Sequence, residues 1–464
     1  MTLTVIIFLI SISILRLLIG SLFPVTADES YYWLWSKHLA LSFVDHPPMV
    51  AFVNFLFTGG KENLLMLRFG AVVVALLVSI GIYSLVKNLL DEKIAALSVV
   101  LFQLIPHYFI IWLTMFVDLP LALFWTLSLL IISGIIKEKK KNLWYLLGIS
   151  VGLGLLSKYT MILFWAALLF FFAIDKANRF WLKTKEFYLS IIISSIFFLP
   201  VIIWNINHSF ISFTFHTERV SEPFGHNFLP YLGDQLVHFT PILIIVFILS
   251  LSFGLKKSWE IRLLSSFSVI PLLLFSIISF KTKVWAHWPS IGYVTAIPLT
   301  LAYLQEKNRA KNFYLISIVA FTCLLTTLLL FLPPGIVFSQ NDFTENYKIR
   351  EKLPKGLKIF SETGTSASIL EFYTKEKVYM ATGFMKPAPI VWGEKQFEIW
   401  GIPDLQKGES IIFYGSESNK NLKNVLSFFE KIELLEPKLF LTEAYISNHR
   451  FYRMDGFRGK GLHP

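Results

Sequence analysis

The first residues that could do chemistry are an acidic pair, Asp28 and Glu29, which follows the first long apolar run of the chain. Tyr31 comes directly after the pair, and Asp45 and His46 end the same polar segment. A carboxylate in such a place can take the proton from an attacking hydroxyl group. Carboxylates beside a histidine can also hold a divalent cation, although a metal is not favoured here and no cofactor is expected.

Further ionisable residues lie between or near the ends of later apolar runs, where charged groups are costly and are usually placed for function. They are Arg68, His107, Asp118, Lys158, Lys283 and His287. The basic residues among them could stabilise a phosphate that leaves with its negative charge. The candidates for that role are Arg68, Lys158, Lys283 and His287.

Most of these residues also have a purely structural explanation. Asp28 could cap the helix that follows it, with the second acid in the favourable first turn. Asp45 could cap a second short helix with Pro47 at its first position. Asp118 could cap the helix after it, and Lys158 could extend its amine towards the membrane surface. The catalytic interpretation is favoured because acids and bases from separate segments are expected on one face of the membrane.

The aromatic residues beside the acidic pair have a structural explanation as well. Aromatic side chains are enriched where a membrane protein meets the headgroups. The sequence therefore predicts a short interfacial helix whose aromatic side chains form a belt at the membrane surface. These side chains are Tyr31, Tyr32, Trp33 and Trp35.

The elements that position these residues follow from composition. Of 464 residues, 55% are hydrophobic and 16% are charged, whereas soluble domains carry about 25% charged residues. Apolar runs of roughly 18 to 22 residues can cross the hydrocarbon core as helices. Eleven spans are predicted near 3–22, 64–86, 94–111, 119–136, 143–157, 160–174, 187–204, 239–254, 263–280, 290–304 and 313–332. The single cysteine, Cys323, excludes a disulfide framework.

Lysine and arginine set the predicted orientation. Alternate loops carry sixteen of these residues, against six in the remaining loops, and the richer set is expected on the cytoplasmic side. This distribution explains the net charge of +11 without nucleic acid as a partner. The N-terminus is then cytoplasmic, with an uncleaved first helix, in a multi-pass protein of the bacterial inner membrane.

Residues 333–464 change in character, because polar and charged residues return after the apolar runs. Strand-like runs lie at 356–360, 377–381 and 410–414, with helical stretches at 364–375 and 419–431. The prediction is a mainly α, polytopic helical bundle over residues 1–332, followed by a small extracytoplasmic α/β domain over 333–464.

The outer face of a bacterial membrane has no ATP or nucleotide sugar, so a transferase there needs an activated donor delivered through the bilayer. A polyprenyl-phosphate sugar meets this need. A carboxylate would activate the acceptor hydroxyl, and cations would stabilise the departing phosphate. A lipid transporter or flippase is the alternative, but such proteins often show internal repeats and sites near the bilayer midplane. Neither feature is visible in the sequence.

Several motifs also resemble a known family. The stretch ADESYYWLWSKHLALSFVDHPPMVAF resembles the first outer loop of the GT-C glycosyltransferases. It is most similar to the bacterial branch related to dolichyl-phosphate-mannose protein mannosyltransferases and to the aminoarabinose lipid A transferase. FVDLPLALFW, GLGLLSKYTMILF and KTKVWAHWPSIGY are similar to later elements of the same family.

The resemblance implies the GT-C fold and an inverting transfer from a polyprenyl-phosphate sugar to an envelope acceptor, which could be protein, lipid A or another glycan. It implies Asp28 as the catalytic base, with Glu29 beside it. It also implies a cavity lined by Tyr31, Asp45, His46 and Asp118. The donor phosphate would be held by less uniform basic residues, here Lys158, Lys283 and His287.

Overall fold

A computed structural model describes residues 1–220, 227–255, 257–307, 317, 321–322, 324–325, 346–381, 393–416, 425, 427–439 and 449–459. The chain divides into two compact units. The first, the bundle unit, comprises Met1–Leu18, His46–Val50 and Arg68–Leu330. The second, the sheet unit, comprises Ile19–Asp45, Ala51–Leu67 and Phe331–Pro464. The predicted boundary between residues 332 and 333 stays a prediction, and residues before it also belong to the sheet unit.

Helices dominate the described residues. In chain order they are α1 Leu3–Ser21, α2 Ala27–Lys37, α3 Met49–Thr58, α4 Leu64–Leu89, α5 Glu92–Leu104, α6 Pro106–Ile111, α7 Asp118–Glu138, α8 Leu143–Leu155, α9 Leu163–Ile174, α10 Lys185–Asn207, α11 Ile211–Val220, α12 Phe228–Phe239, α13 Pro241–Gly254, α14 Trp259–Ile278, α15 Ser290–Glu306, α16 Ile349–Lys352, α17 Gly364–Thr374 and α18 Glu394–Trp400. Two 3-10 helices, Tyr159–Ile162 and Arg179–Lys183, precede α9 and α10.

Five of the described helices, α1, α4, α7, α10 and α14, are long and apolar enough to cross a membrane. The pair α12 and α13 would add a sixth span, but it bends by 104° at Thr240. Helices of the described residues coincide with ten of the eleven predicted spans. The third is interrupted at Ile105, because Pro106 begins α6. The eleventh lies almost wholly outside the described residues, so the count of eleven stays a prediction.

Small residues allow close packing between α8 and α10 in the bundle unit. A Cβ added at Gly148 would lie 2.6 Å from the backbone oxygen of Ser190, and one added at Gly152 would lie 2.6 Å from Cβ of Phe197. Helices in membranes associate largely through such close contacts. The glycine-rich stretch therefore has a packing role in the bundle.

The described residues of the tail form a five-stranded mixed sheet in the order β2-β1-β3-β5-β4. The strands are β1 Lys358–Ser361, β2 Val378–Met380, β3 Ile411–Ser416, β4 Lys431–Leu434 and β5 His449–Asp455. Strand β1 pairs in parallel with β2 and β3, and β5 pairs antiparallel with β3 and β4. The three predicted strands and the helix at 364–375 are confirmed. The helix predicted at 419–431 lies mostly outside the described residues, and its last residue begins β4.

Helix α2 packs against α17 within the sheet unit. The Trp33 ring lies 4.9 Å from that of Phe372, and the backbone N–H of Val25 donates to the Tyr373 hydroxyl over 3.1 Å. The short helix predicted after the acidic pair is confirmed, but the predicted aromatic belt is wrong. The four aromatic side chains are buried in the core between α2 and the tail of the chain, and none of them is more than 4% exposed. They are Tyr31, Tyr32, Trp33 and Trp35.

Candidate functional site

The structure separates the roles of the two acids at the start of α2. Thr26 is the N-cap residue, and its side chain accepts from the backbone N–H of Glu29 over 3.4 Å. The buried Glu29 carboxylate accepts in return from the N–H of Thr26 over 3.2 Å. This reciprocal pair is a capping box. The interpretation of Asp28 as the N-cap is therefore wrong, because Asp28 is already the second residue of the helix and is only partly buried.

Tyr31 and Asp45 form a buried pair in the sheet unit. The Tyr31 hydroxyl donates to Oδ2 of Asp45 over 2.6 Å, and both side chains are buried. Burial, reinforced by the Asp45 charge, raises the pKa of Tyr31 well above its ordinary value, so Tyr31 keeps its proton and stays a donor. The helix that follows begins at Met49. The idea that Asp45 caps a helix starting at Pro47 is therefore wrong.

In the bundle unit, Asp118 and Lys158 bind each other. Nζ of Lys158 lies 2.7 Å from Oδ1 of Asp118, and each side chain is 7% exposed. Asp118 is the first residue of α7, after Val117 at the N-cap position, so its predicted capping role is wrong. Lys158 lies just before the 3-10 helix Tyr159–Ile162. The carboxylate at the start of one helix thus holds the ammonium group at the break between two others.

His107 faces a pocket beside this ion pair. Its side chain is 4% exposed, and Nε2 has no hydrogen-bond partner among the described residues. The His238 ring lies 6.0 Å away. The lining of this small pocket is formed by His107, Tyr108, Ile111, Trp112, Asp118, Ala122, Ser290, Ile291 and Val294. The structure thus brings together three predicted residues, His107, Asp118 and Lys158.

A second cluster in the bundle unit contains His46. Its ring lies 6.0 Å from that of His216 on α11, and the ring of Tyr159 lies 5.2 Å from His216. The sequence motifs did not single out Tyr159, His216 or His238 as site residues. Tyr159 directly follows Lys158, which the motifs did select. No spacing pattern in the sequence connects either histidine to Tyr159.

Arg68 and Lys283 lie in different surroundings, whereas His287 is close enough to His107 for the two rings to interact electrostatically. Arg68 is 3% exposed within α4. Lys283 is exposed, and its Nζ lies 3.7 Å from the ring centroid of Trp285. His287 is half-buried, and its carbonyl accepts from the backbone N–H of Ser290 at the start of α15.

Arg16 is a buried cation that the motifs did not select. Its side chain is 2% exposed, and Nη1 donates to Oε1 of Gln103 over 2.5 Å. Its guanidinium carbon lies 5.2 Å from the ring centroid of Phe109 and 5.6 Å from that of Trp112, a pocket-lining residue. The aromatic faces compensate part of the cost of burying this charge.

The predicted residues thus divide between the two units. Asp28, Glu29, Tyr31 and Asp45 belong to the sheet unit, and the others to the bundle unit. Their convergence on one catalytic centre stays a prediction. Within the described residues, no group of three or more His, Cys, Asp or Glu side chains is arranged to hold a metal ion.

Comparisons with known proteins agree with the motifs. Residues 45–204 match the family model described as dolichyl-phosphate-mannose-protein mannosyltransferase. A lipid A galacturonosyltransferase, RgtD from Rhizobium johnstonii, is 22% identical over 289 residues, which cover 60% of each chain. The chain therefore spans about 60% of the length of that curated relative.

Two solved structures share the fold. The structure of ArnT from Cupriavidus metallidurans bound to undecaprenyl phosphate matches with a TM-score of 0.72 and 11% identity, covering 97% of both chains. The archaeal oligosaccharyltransferase AglB from Archaeoglobus fulgidus, in complex with an inhibitory peptide and a dolichol-phosphate, matches with a TM-score of 0.52 and 12% identity. That match covers 80% of this chain and 64% of AglB. The fold is the one that the sequence motifs predicted.

Proposed function

We propose that this chain, a multi-pass membrane protein related to the GT-C glycosyltransferases, transfers a sugar from a polyprenyl-phosphate donor to a hydroxyl group of an envelope acceptor. The observation that carries the proposal is that the two acids at the start of α2 have different roles. Thr26 and Glu29 make the capping hydrogen bonds, so α2 does not depend on the Asp28 side chain for its cap. Asp28 is then suited to the role of catalytic base.

In the proposed reaction, Asp28 accepts the proton of the acceptor hydroxyl as the oxygen attacks the anomeric carbon of the donor sugar. The bond between that carbon and the phosphate oxygen breaks, and polyprenyl phosphate leaves with the electron pair. Direct displacement inverts the configuration at the anomeric carbon. The proton on Asp28 is then lost to solvent or to the released phosphate.

Cations of the bundle unit are proposed to stabilise the departing phosphate. Arg68, His287 and Lys283 remain candidates for direct contact. Lys158 already has a partner in Asp118, so a phosphate would have to share this ammonium group with a carboxylate. We therefore assign Lys158 first to holding Asp118 at the pocket wall, with His107 as the polar group that faces a ligand there.

The relatives' names point to different acceptors. RgtD is named for lipid A, whereas the matching family model is named for protein. We propose an envelope acceptor on the outer side of the bacterial inner membrane, with a cytoplasmic N-terminus and an extracytoplasmic tail. Lipid A-type glycolipids are the first acceptors to test, because RgtD and this chain align over more residues than the family model covers.

The test uses purified protein in lipid vesicles with polyprenyl-phosphate sugars and candidate acceptors. The expected result is release of polyprenyl phosphate together with a glycosylated acceptor. Asp28→Asn should reduce turnover by about 10²- to 10⁴-fold, the usual contribution of a general base. The matched control is Asp404→Asn, because Asp404 is an exposed acid of the sheet unit. Full turnover by Asp28→Asn, or movement of intact donor across the vesicle without chemical change, would reject the proposal.

A further inference from the structure

Helix α18, which lies far along the sequence, contacts the segment that ends the first polar loop. Gln396 is 2% exposed, and its Oε1 accepts from the backbone N–H of Val44 over 2.9 Å. Val44 immediately precedes Asp45, the acceptor of the Tyr31 hydroxyl. The amide of Gln396 therefore fixes the Phe43–Val44 peptide group, one residue before Asp45.

The same helix also holds the ring of Tyr31. The Phe397 ring is stacked on it, with centroids 6.4 Å apart and an interplanar angle of 17°. Gly393, just before α18, has a φ of +82°, and a Cβ there would lie 3.4 Å from Cζ of Tyr31. A side chain at position 393 would therefore meet both a strained backbone and the phenol ring.

The segment that follows β1 also contacts α18. Strand β1 lies between β2 and β3 and is parallel to both, so the order of the strands reverses at β1. Ligands of α/β sheets commonly bind at this kind of switch point. Here Gly364, which begins α17 after β1, lies against α18, since a Cβ there would be 3.2 Å from the Phe397 ring. Phe397 thus links this edge of the sheet to Tyr31.

We infer that Gln396 is a positioning residue that sets the geometry of the Tyr31–Asp45 pair, so that the tail of the chain controls how the first loop presents its polar groups. The inference rests on the proposed function, because Tyr31 and Asp45 act on substrate only within it. The physical basis of the inference is that neighbouring residues must hold a catalytic group in place, since displacing that group by about 1 Å can reduce the rate by about 10²-fold.

The first test replaces Gln396 by methionine, which keeps the length of the side chain and removes the acceptor. We expect kcat to fall roughly three- to tenfold, as for the loss of one buried hydrogen bond, with the KM for the donor unchanged. Gln406→Met is the matched control, because Gln406 is an exposed glutamine of the same unit. A kcat equal to that of the wild type would overturn the inference.

A second test asks whether Gln396 acts through the pair. In a Tyr31→Phe background the pair is already broken, so Gln396→Met should cause little further loss of kcat. A loss of the same size in both backgrounds would show that Gln396 acts elsewhere and would overturn the inference. Failure of the proposed function is separately visible, because Asp28→Asn would then turn over donor as fast as the wild type.

Discussion

Nζ of Lys158 lies 2.7 Å from Oδ1 of Asp118, and each side chain is only 7% exposed. The pair joins the start of α7 to the break between α8 and α9 in the bundle unit. The sequence motifs selected both residues as substrate ligands. Their mutual contact means that each must be tested in the presence and absence of the other.

Lys158→Met should destabilise the protein by about 3–5 kcal/mol, because it leaves the Asp118 carboxylate buried without its partner. Adding Asp118→Asn to the same chain should restore much of the loss, since the charge is removed. Thermal unfolding of the purified variants in detergent measures both effects. If Lys158→Met keeps wild-type stability and instead raises the KM for the donor, Lys158 acts mainly on the phosphate.

Thr26→Ala should lower the stability of the sheet unit by about 1 kcal/mol, because it removes one half of the capping box at α2. Asp28→Asn leaves both hydrogen bonds of the capping box in place, so it should cost less stability than Thr26→Ala. Thermal unfolding again compares the two variants. A larger loss of stability in Asp28→Asn than in Thr26→Ala would indicate that Asp28 caps α2.

The surroundings of Glu371 should make the free energy of unfolding depend on pH. Its carboxylate lies 3.0 Å from Nζ of Lys37 and accepts from the N–H of Val378 over 3.1 Å. Burial outweighs these contacts and raises the pKa of Glu371 above its ordinary 4.5. Burial also acts to lower the pKa of Lys37, but Glu371 and Glu62 raise it overall.

Because the folded-state pKa of Glu371 is raised, its contribution to stability is fully present below the unfolded pKa and is lost as pH rises through the folded pKa. The stability of the wild type relative to Glu371→Gln should therefore fall as the pH rises above the ordinary pKa of 4.5. The fall should amount to about 1.4 kcal/mol for each unit that separates the two pKa values. Unfolding curves over this range measure it, and a difference that grows with pH would contradict the prediction.

Gly148→Ala should cost about 1–3 kcal/mol, because the new methyl group would overlap the backbone of α10 at Ser190. The matched control is Gly233→Ala in α12, where a Cβ meets nothing within 4 Å. There the substitution should be neutral or stabilise by about 0.4–1 kcal/mol. Equal effects at both positions would show that α8 and α10 do not depend on this close contact.

Local patterns in the sequence predicted much of the fold. Apolar runs marked the helices, and Pro106 explains the break inside the third predicted span. The capping box could also be recognised from Thr26 followed three residues later by Glu29, although only Asp28 was considered as a possible cap. The aromatic side chains of α2 suited a membrane belt by type alone, and only the tertiary structure shows that the sheet unit buries them.

Contacts between distant segments could not be predicted in the same way. Asp118 and Lys158 are 40 residues apart, and Gln396 is 352 residues from Val44. A single sequence holds no signal for such pairs, because neither periodicity nor turn chemistry connects them. His238 was missed for the same reason, since it approaches His107 only in the folded bundle. The proximity of His216 to His46 could not be predicted either.

The hydrogen bonds from Val25 to Tyr373 and from Val44 to Gln396 also constrain biosynthesis. A ribosome that adds about 5–20 residues per second needs roughly 20–70 s to reach the second partner of each bond. During that time the aromatic helix α2 has left the ribosome without the segment that will bury it. Assembly of the sheet unit must therefore be among the last events of folding, and a chain truncated before α17 should expose the rings of α2 to chaperones and proteases.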